Sequence, residues 1–390
     1  MNKRSLTPIY LITFFAGFAS LVYEISWNRY LSLILGDTVA ASTIVLMAFM
    51  AGFGLGAFFL GRYANRITHP GQLLSVELIA IGVLSFINYH IIGSVAESMY
   101  GSFSSLQGGD LFFFTTAFIL LFIPAFFMGG IFPLVNRIVI TEDKTMARRL
   151  GAVFALETTG STLGGLIAGF VLLGTLGQDM TMYTAIVINL LIAGYVFFSG
   201  KYMTAPVVKN NQEKKHKSAS ATSEHSPKLA KLATFFAGFT LLALQVIWMR
   251  IFKTYFTNTS YTFALITSFV ILGLSFGGWL YRKNGAKIKN NDRVMLKLIV
   301  LLSLFALVGL FFLYKFPELF MFPFADIMGN QIIRLLILPA FASVIIVLPA
   351  AMTSGYTFPL ACNMYSRGAK NISTNVGYIL MVNTAGAVTG

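Results

Sequence analysis

The residues in this sequence best placed to do chemistry are ionisable side chains set inside long apolar runs. Glu24 lies in LVYEISWNR, flanked by Tyr23 and Trp27 and followed by Arg29, while Glu77, Glu157 and Arg250 interrupt other apolar stretches. A charge at membrane depth is costly, so such a residue is either paired or functional. One reading is a cavity in which Glu24 and Glu157 bind a cation, helped by the negative faces of the Tyr23 and Trp27 rings. The other pairs Glu24 with Arg29 near the outer interface and assigns Trp27 to an aromatic belt. Glu157 follows Arg149 by about two turns, ~12 Å along a helix, and so lies well inside. Glu77, little more than a turn past Gly71, reads as interfacial.

An internal repeat places these residues in pairs. FFAGFASLVYEISWNRYLSLILGD, starting at Phe14, returns without a gap as FFAGFTLLALQVIWMRIFKTYFTN from Phe235, and the likeness continues through Arg62 and Lys283. Later, Phe132-Pro133-Leu134 matches Phe358-Pro359-Leu360, and Gly151, Thr158, Gly160 and Gly164 match Gly377, Thr384, Gly386 and Gly390. Self-similarity at a long period means two homologous halves. Under this alignment Glu24 corresponds to Gln245 and Glu157 to Asn383, so the first half carries acids where the second carries amides. Arg29 and Arg250 are basic in both copies, which suits a structural or anion-pairing role.

The elements that must position these residues are membrane helices. Hydrophobic residues make up 56% of the chain, charged residues 11%, and the mean hydropathy is +0.77. Soluble domains carry about 25% charged residues, so this chain lacks a water-facing surface. Apolar runs of about 20 residues recur throughout, each long enough to cross a bilayer as helix. The alternating ten-residue strands of a membrane barrel are not seen. The spacing predicts helix 1 to Leu35, helix 2 over 38–61, helix 3 over 72–92 and helix 4 over 111–139. Helices 5 to 9 follow over 150–176, 180–198, 232–256, 259–281 and 294–313, helix 10 over 331–360, and helix 11 from Thr374. Pro124, Gly129, Gly130 and Pro133 predict a kink or unwinding in helix 4. The fold class is thus all-α integral membrane, with two parallel pseudo-repeats of about six helices in a major-facilitator-like arrangement. Residues 1–199 form the first half, 200–231 a polar basic linker and 232–390 the second half. The twin of helix 11 continues through another helix in the first half, so the chain reads as a piece of a longer protein.

Charge sets the orientation. Of the 28 Lys and Arg residues, all but Arg29, Arg250, Lys253, Lys315 and Arg334 fall on the side holding the N-terminus, the linker and the 2–3, 4–5, 8–9 and 10–11 loops. The positive-inside rule makes that side cytoplasmic and the membrane an inner one. The net charge of +14 is then a topology signal, with no nucleic acid invoked. The linker lysines would also favour an anionic leaflet.

Other chemistries find no support. A lone Cys362 and four scattered histidines offer no disulfide or metal cluster, no cofactor is called for, and there is no nucleophile set beside His and an acid. Gly52-Phe-Gly54-Leu-Gly56 lacks the strand-loop-helix setting of a dinucleotide loop. Gly52 and Gly56 instead form a small-residue face for close helix packing, as do Gly160 and Gly164.

LVYEISWNR, the AGFGLGAFFLGR stretch, ALETTGSTLGG and MVNTAGAVTG together resemble the membrane region of spermidine synthase-like proteins, the fused major facilitator/spermidine synthase family. The likeness covers almost the whole chain. It implies that an aminopropyltransferase-like domain, acting on decarboxylated S-adenosylmethionine and a polyamine, follows or partners this region, and none of its catalytic residues lies here. A weaker likeness links Gly61-Arg-Tyr-Ala-Asn65-Arg66 to the Gly-x-x-x-Asp-Arg loop of the major facilitator superfamily, with Asn65 in place of the acid. Two expectations follow: a transporter-like module handling polyamines or similar small cations, or a non-transporting membrane anchor or scaffold for an aminopropyltransferase domain or partner.

Overall fold

The computed structural model describes residues 6–36, 38–100, 109–199, 226–256, 260–327, 329–366, 368 and 371–390. The first half comprises α1 (Thr7–Leu35), α2 (Thr38–Ala64), α3 (Pro70–Tyr100), α4 (Gly109–Val139), α5 (Asp143–Thr175) and α6 (Gly177–Ser199). The second comprises α7 (Pro227–Tyr255), α8 (Ser260–Asn284), α9 (Asn291–Tyr314), a broken α10 (Ile333–Ile346 and Leu348–Ser366) and α11 (Ile372–Thr389). Among the described residues, nine of these helices are long and apolar enough to cross a membrane, and ten if the broken pair is one span.

Local chemistry sets the boundaries. Gly36, at φ 65°, ends α1 in the left-handed conformation that residues with a Cβ avoid. Pro227 opens α7 behind Ser226, whose hydroxyl accepts from the Leu229 N–H. Helix α7 thus starts inside the stretch read as linker; the remainder of that linker, 200–225, lies outside the described residues. Helix α3 runs on past Ile92 to Tyr100, taking in part of the polar segment expected to be a loop.

Of the kink or unwinding expected in α4, unwinding is absent there, and a break occurs in its twin. Helix α4 is continuous through Pro124 and Pro133. Pro124 cannot donate to the Leu120 carbonyl four residues back, and the Asn88 amide of α3 donates to that oxygen instead. In α10 the two segments meet at a bend of 53° just before Pro349, whose ring cannot follow a regular turn.

The two halves are built alike. In the first, Gly160 and Gly164 of α5 lie against the Phe14 and Phe18 carbonyls of α1; a Cβ on Gly160 would sit 1.9 Å from the Phe14 oxygen. In the second, Gly386 of α11 meets the Phe235 carbonyl of α7, where a Cβ would sit at 2.0 Å. Gly52 and Gly56 of α2 meet Phe122 and Phe126 of α4, as Gly273 and Gly277 of α8 meet Leu348 and Met352 of α10. Backbone contact this close is a main source of association between helices in lipid, where no hydrophobic force acts between them.

The halves join through α5 against α8 and α2 against α11. Along the first seam the Thr159 and Ser275 hydroxyls lie 2.6 Å apart, Ser275 donates to the Ala155 carbonyl at 3.2 Å, and the Trp279 indole N–H donates to Thr159 at 3.2 Å. Along the second, Gly61 and Gly377 press on the Ser373 and Ala57 carbonyls. The loop asparagine is part of this seam: Asn65 donates to the Thr374 hydroxyl at the start of α11 (2.7 Å) and accepts from the Arg137 guanidinium of α4 (2.7 Å). Asn65 therefore still ties the halves together, although it carries no charge.

Candidate functional site

Glu24 lies a little past the middle of α1, on the part of its face between the contacts to α4 and α5. On one side of it Ser20 donates to the Met128 sulfur of α4 at 3.4 Å. On the other, Leu21 and Ile25 lean on Gly165 of α5. The residue is buried at 6% exposure, and among the described residues its carboxylate has no hydrogen bond or ion pair. The alternative pairing with Arg29 is not formed.

The aromatic neighbours turn elsewhere. Trp27 and Tyr23 stack on each other at 5.5 Å, Trp27 meets Phe49 of α2 edge-on at 5.4 Å, and the Tyr23 hydroxyl faces Ser85 of α3. Both are fully buried inside the first half. Trp27 thus packs on α2 and Tyr23 on α3. Being buried, they are not exposed to lipid as an aromatic belt would be.

Glu157 sits at the α1–α5 crossing, its backbone carbonyl against Gly17. Its side chain leaves the helix between the glycines facing α1 and Phe154, whose ring packs toward the second half, while Leu163 on the opposite side is exposed. Asn383 occupies the twin position against Gly238. Glu24 is seven residues beyond Gly17, so the two acids are separated by about 10 Å along the membrane normal and do not converge on one ion. Gln245, the twin of Glu24, donates to the Thr267 hydroxyl of α8 at 3.2 Å.

Residues not singled out from the sequence complete this layer. Ser268 of α8, fully buried with a hydroxyl that has no partner among the described residues, lies against Gly165 at the level of Leu21 and Ile25. Thr267-Ser268 is a polar pair in an otherwise apolar run, a signal that a search for charges passes over. Arg250 is exposed near the C-terminal end of α7, where it shares a small crevice with Ser42, Thr43 and Leu46 of α2. Arg29 is half-buried near the end of α1. Glu77 is enclosed by protein: it is 1% exposed at the junction of α3 with Leu60 and Gly130, and neither carboxylate oxygen has a partner among the described residues.

No protein-family model matches the chain, and no curated protein matches it in sequence. Solved structures do. The chain is similar to a major facilitator superfamily transporter, FucP, in the outward conformation, with a TM-score of 0.55 and 14% identity over 98% of this chain and 91% of that one. Looser likenesses are to the human organic anion transporter MFSD10 (TETRAN), with a TM-score of 0.48 and 12% identity over 99% of this chain and 93% of that one. A third is to an auto-inhibited POT family peptide transporter, with a TM-score of 0.44 and 17% identity over 99% and 87%. At such identities the likeness speaks for fold alone, and the fold of this chain is major-facilitator-like.

Proposed function

We propose that the chain is a membrane transporter that exposes a central site alternately to the two sides of the bilayer, and that its substrates are small organic cations such as polyamines. The observation that carries this reading is Glu24, a buried carboxylate past the middle of α1 with no cation to neutralise it among the described residues. Glu157, about 10 Å nearer the basic face, supplies a second negative point. Two acids at that separation suit a flexible chain bearing more than one ammonium group better than a single metal ion. Gln245, Thr267 and Ser268 supply neutral hydrogen-bonding groups from the opposite half. The basic face is the cytoplasmic one, by the distribution of Lys and Arg.

The resemblance to spermidine synthase-like proteins supports a second reading, in which the bundle anchors an aminopropyltransferase domain or partner without transporting. Uptake of labelled putrescine and spermidine into proteoliposomes separates the two. Saturable uptake lost in Glu24→Gln and Glu157→Gln supports transport at this site. Saturable uptake that survives both changes removes the site, and no uptake by the unchanged chain favours the anchor.

A further inference from the structure

We propose that Phe132 and Phe358, with Phe154, form the gate that closes the central site from the basic face; this rests on the reading of the chain as a transporter. Phe132 of α4 and Phe358 of α10 are equivalent positions of the repeat, each heading a Phe-Pro-Leu triplet. Their rings touch across the two halves, with centroids 5.7 Å apart. Residues exchanged by a two-fold axis can touch each other only where they flank that axis. In a bundle of two parallel repeats the axis runs along the membrane normal between the halves, which is the path a substrate must take.

The pair therefore stands in the path, and its surroundings seal it. Phe154 of α5 closes the third side, 5.1 Å from Phe358 and 6.0 Å from Phe132. Phe132 is 2% exposed and Phe358 5% exposed. Each lies about two turns from the basic end of its helix, on the basic side of both Glu24 and Glu157. Three aromatic rings with no polar atom among them form a dry constriction, and such a constriction stops water and ions without any charge. The proline following each phenylalanine removes one backbone hydrogen bond beside the plug, so both gate helices can bend where the rings must part. Closer to the basic face, the Asn65 bridge to Arg137 and Thr374 holds the same end shut.

The gate is tested by access from one side. In a Cys362→Ser background, Thr158→Cys places a single thiol one turn beyond Phe154, toward mid-membrane. Membrane-impermeant maleimide is applied to vesicles of each orientation. With the phenylalanines in place, labelling from the basic face is slow. Phe132→Ala with Phe358→Ala raises that rate about tenfold or more and leaves labelling from the other face unchanged. Phe132→Leu with Phe358→Leu keeps the site apolar, gives a smaller rise, and supplies the same readout if the alanine pair does not yield monodisperse protein. A labelling rate unchanged in the folded variants overturns the gate. Since labelling needs no substrate, this outcome is separate from the uptake result that decides whether the chain transports.

Discussion

At the scale of the residue, a buried carboxylate with no counter-ion among the described residues sets Glu24 apart from the uncharged side chains around it. A hydrogen bond from an ammonium group to a carboxylate is worth about 1.5–3 kcal/mol, so Glu24→Gln is expected to raise KM for a cationic substrate by roughly 10- to 100-fold. Concentration-dependent uptake checks this, with thermal unfolding in detergent showing the fold intact. Trp27→Ala should behave in the opposite way. It removes a fully buried ring stacked on Tyr23 and edge-on to Phe49, for about 3–5 kcal/mol of stability, and leaves KM close to that of the unchanged chain. A rise in KM with little loss of thermal stability would return Trp27 to the binding site. The two residues are three apart in sequence and so lie on neighbouring parts of one helix face; it is the packing of Trp27 on Phe49 of α2 that separates their roles.

At the scale of the element, the helices depend on close backbone crossings and on side chains that serve carbonyls freed by proline. Asn88→Ala would leave the Leu120 carbonyl without a donor in a lipid-bounded interior, at a cost of about 1–3 kcal/mol. A fall in the unfolding temperature of the purified protein checks it, and no fall would mean that α4 finds another donor beside Pro124. Gly160→Leu forces a side chain onto the Phe14 carbonyl and should prevent α1 and α5 from meeting. Its readout is loss of monodisperse protein, and Gly386→Leu at the twin crossing is expected to do the same in the second half.

At the scale of the whole molecule, the halves are held by seams whose strength sets the balance between states. Asn65→Ala breaks the link from Arg137 to Thr374 and frees the basic end of α2 from α11. Amide hydrogen exchange over 372–377 is expected to quicken, while exchange in α1 and α5 stays as it was; equal exchange in both proteins would show that the bridge does not hold the halves. Much of this architecture was legible in the sequence. Apolar runs long enough to span a bilayer dictate helices, and a doubled motif dictates two like halves, because homologous segments fold alike. Glu24, Glu157 and their amide twins were legible as well, since a charge in an apolar run stands out against its background. Which way each side chain points was not: that depends on the rotation of every helix about its own axis, and in lipid close packing between small residues fixes it. Only the tertiary structure decided that Tyr23 and Trp27 turn inward, that Glu77 is enclosed, that the proline break falls in α10, and that two matched phenylalanines meet on the axis between the halves.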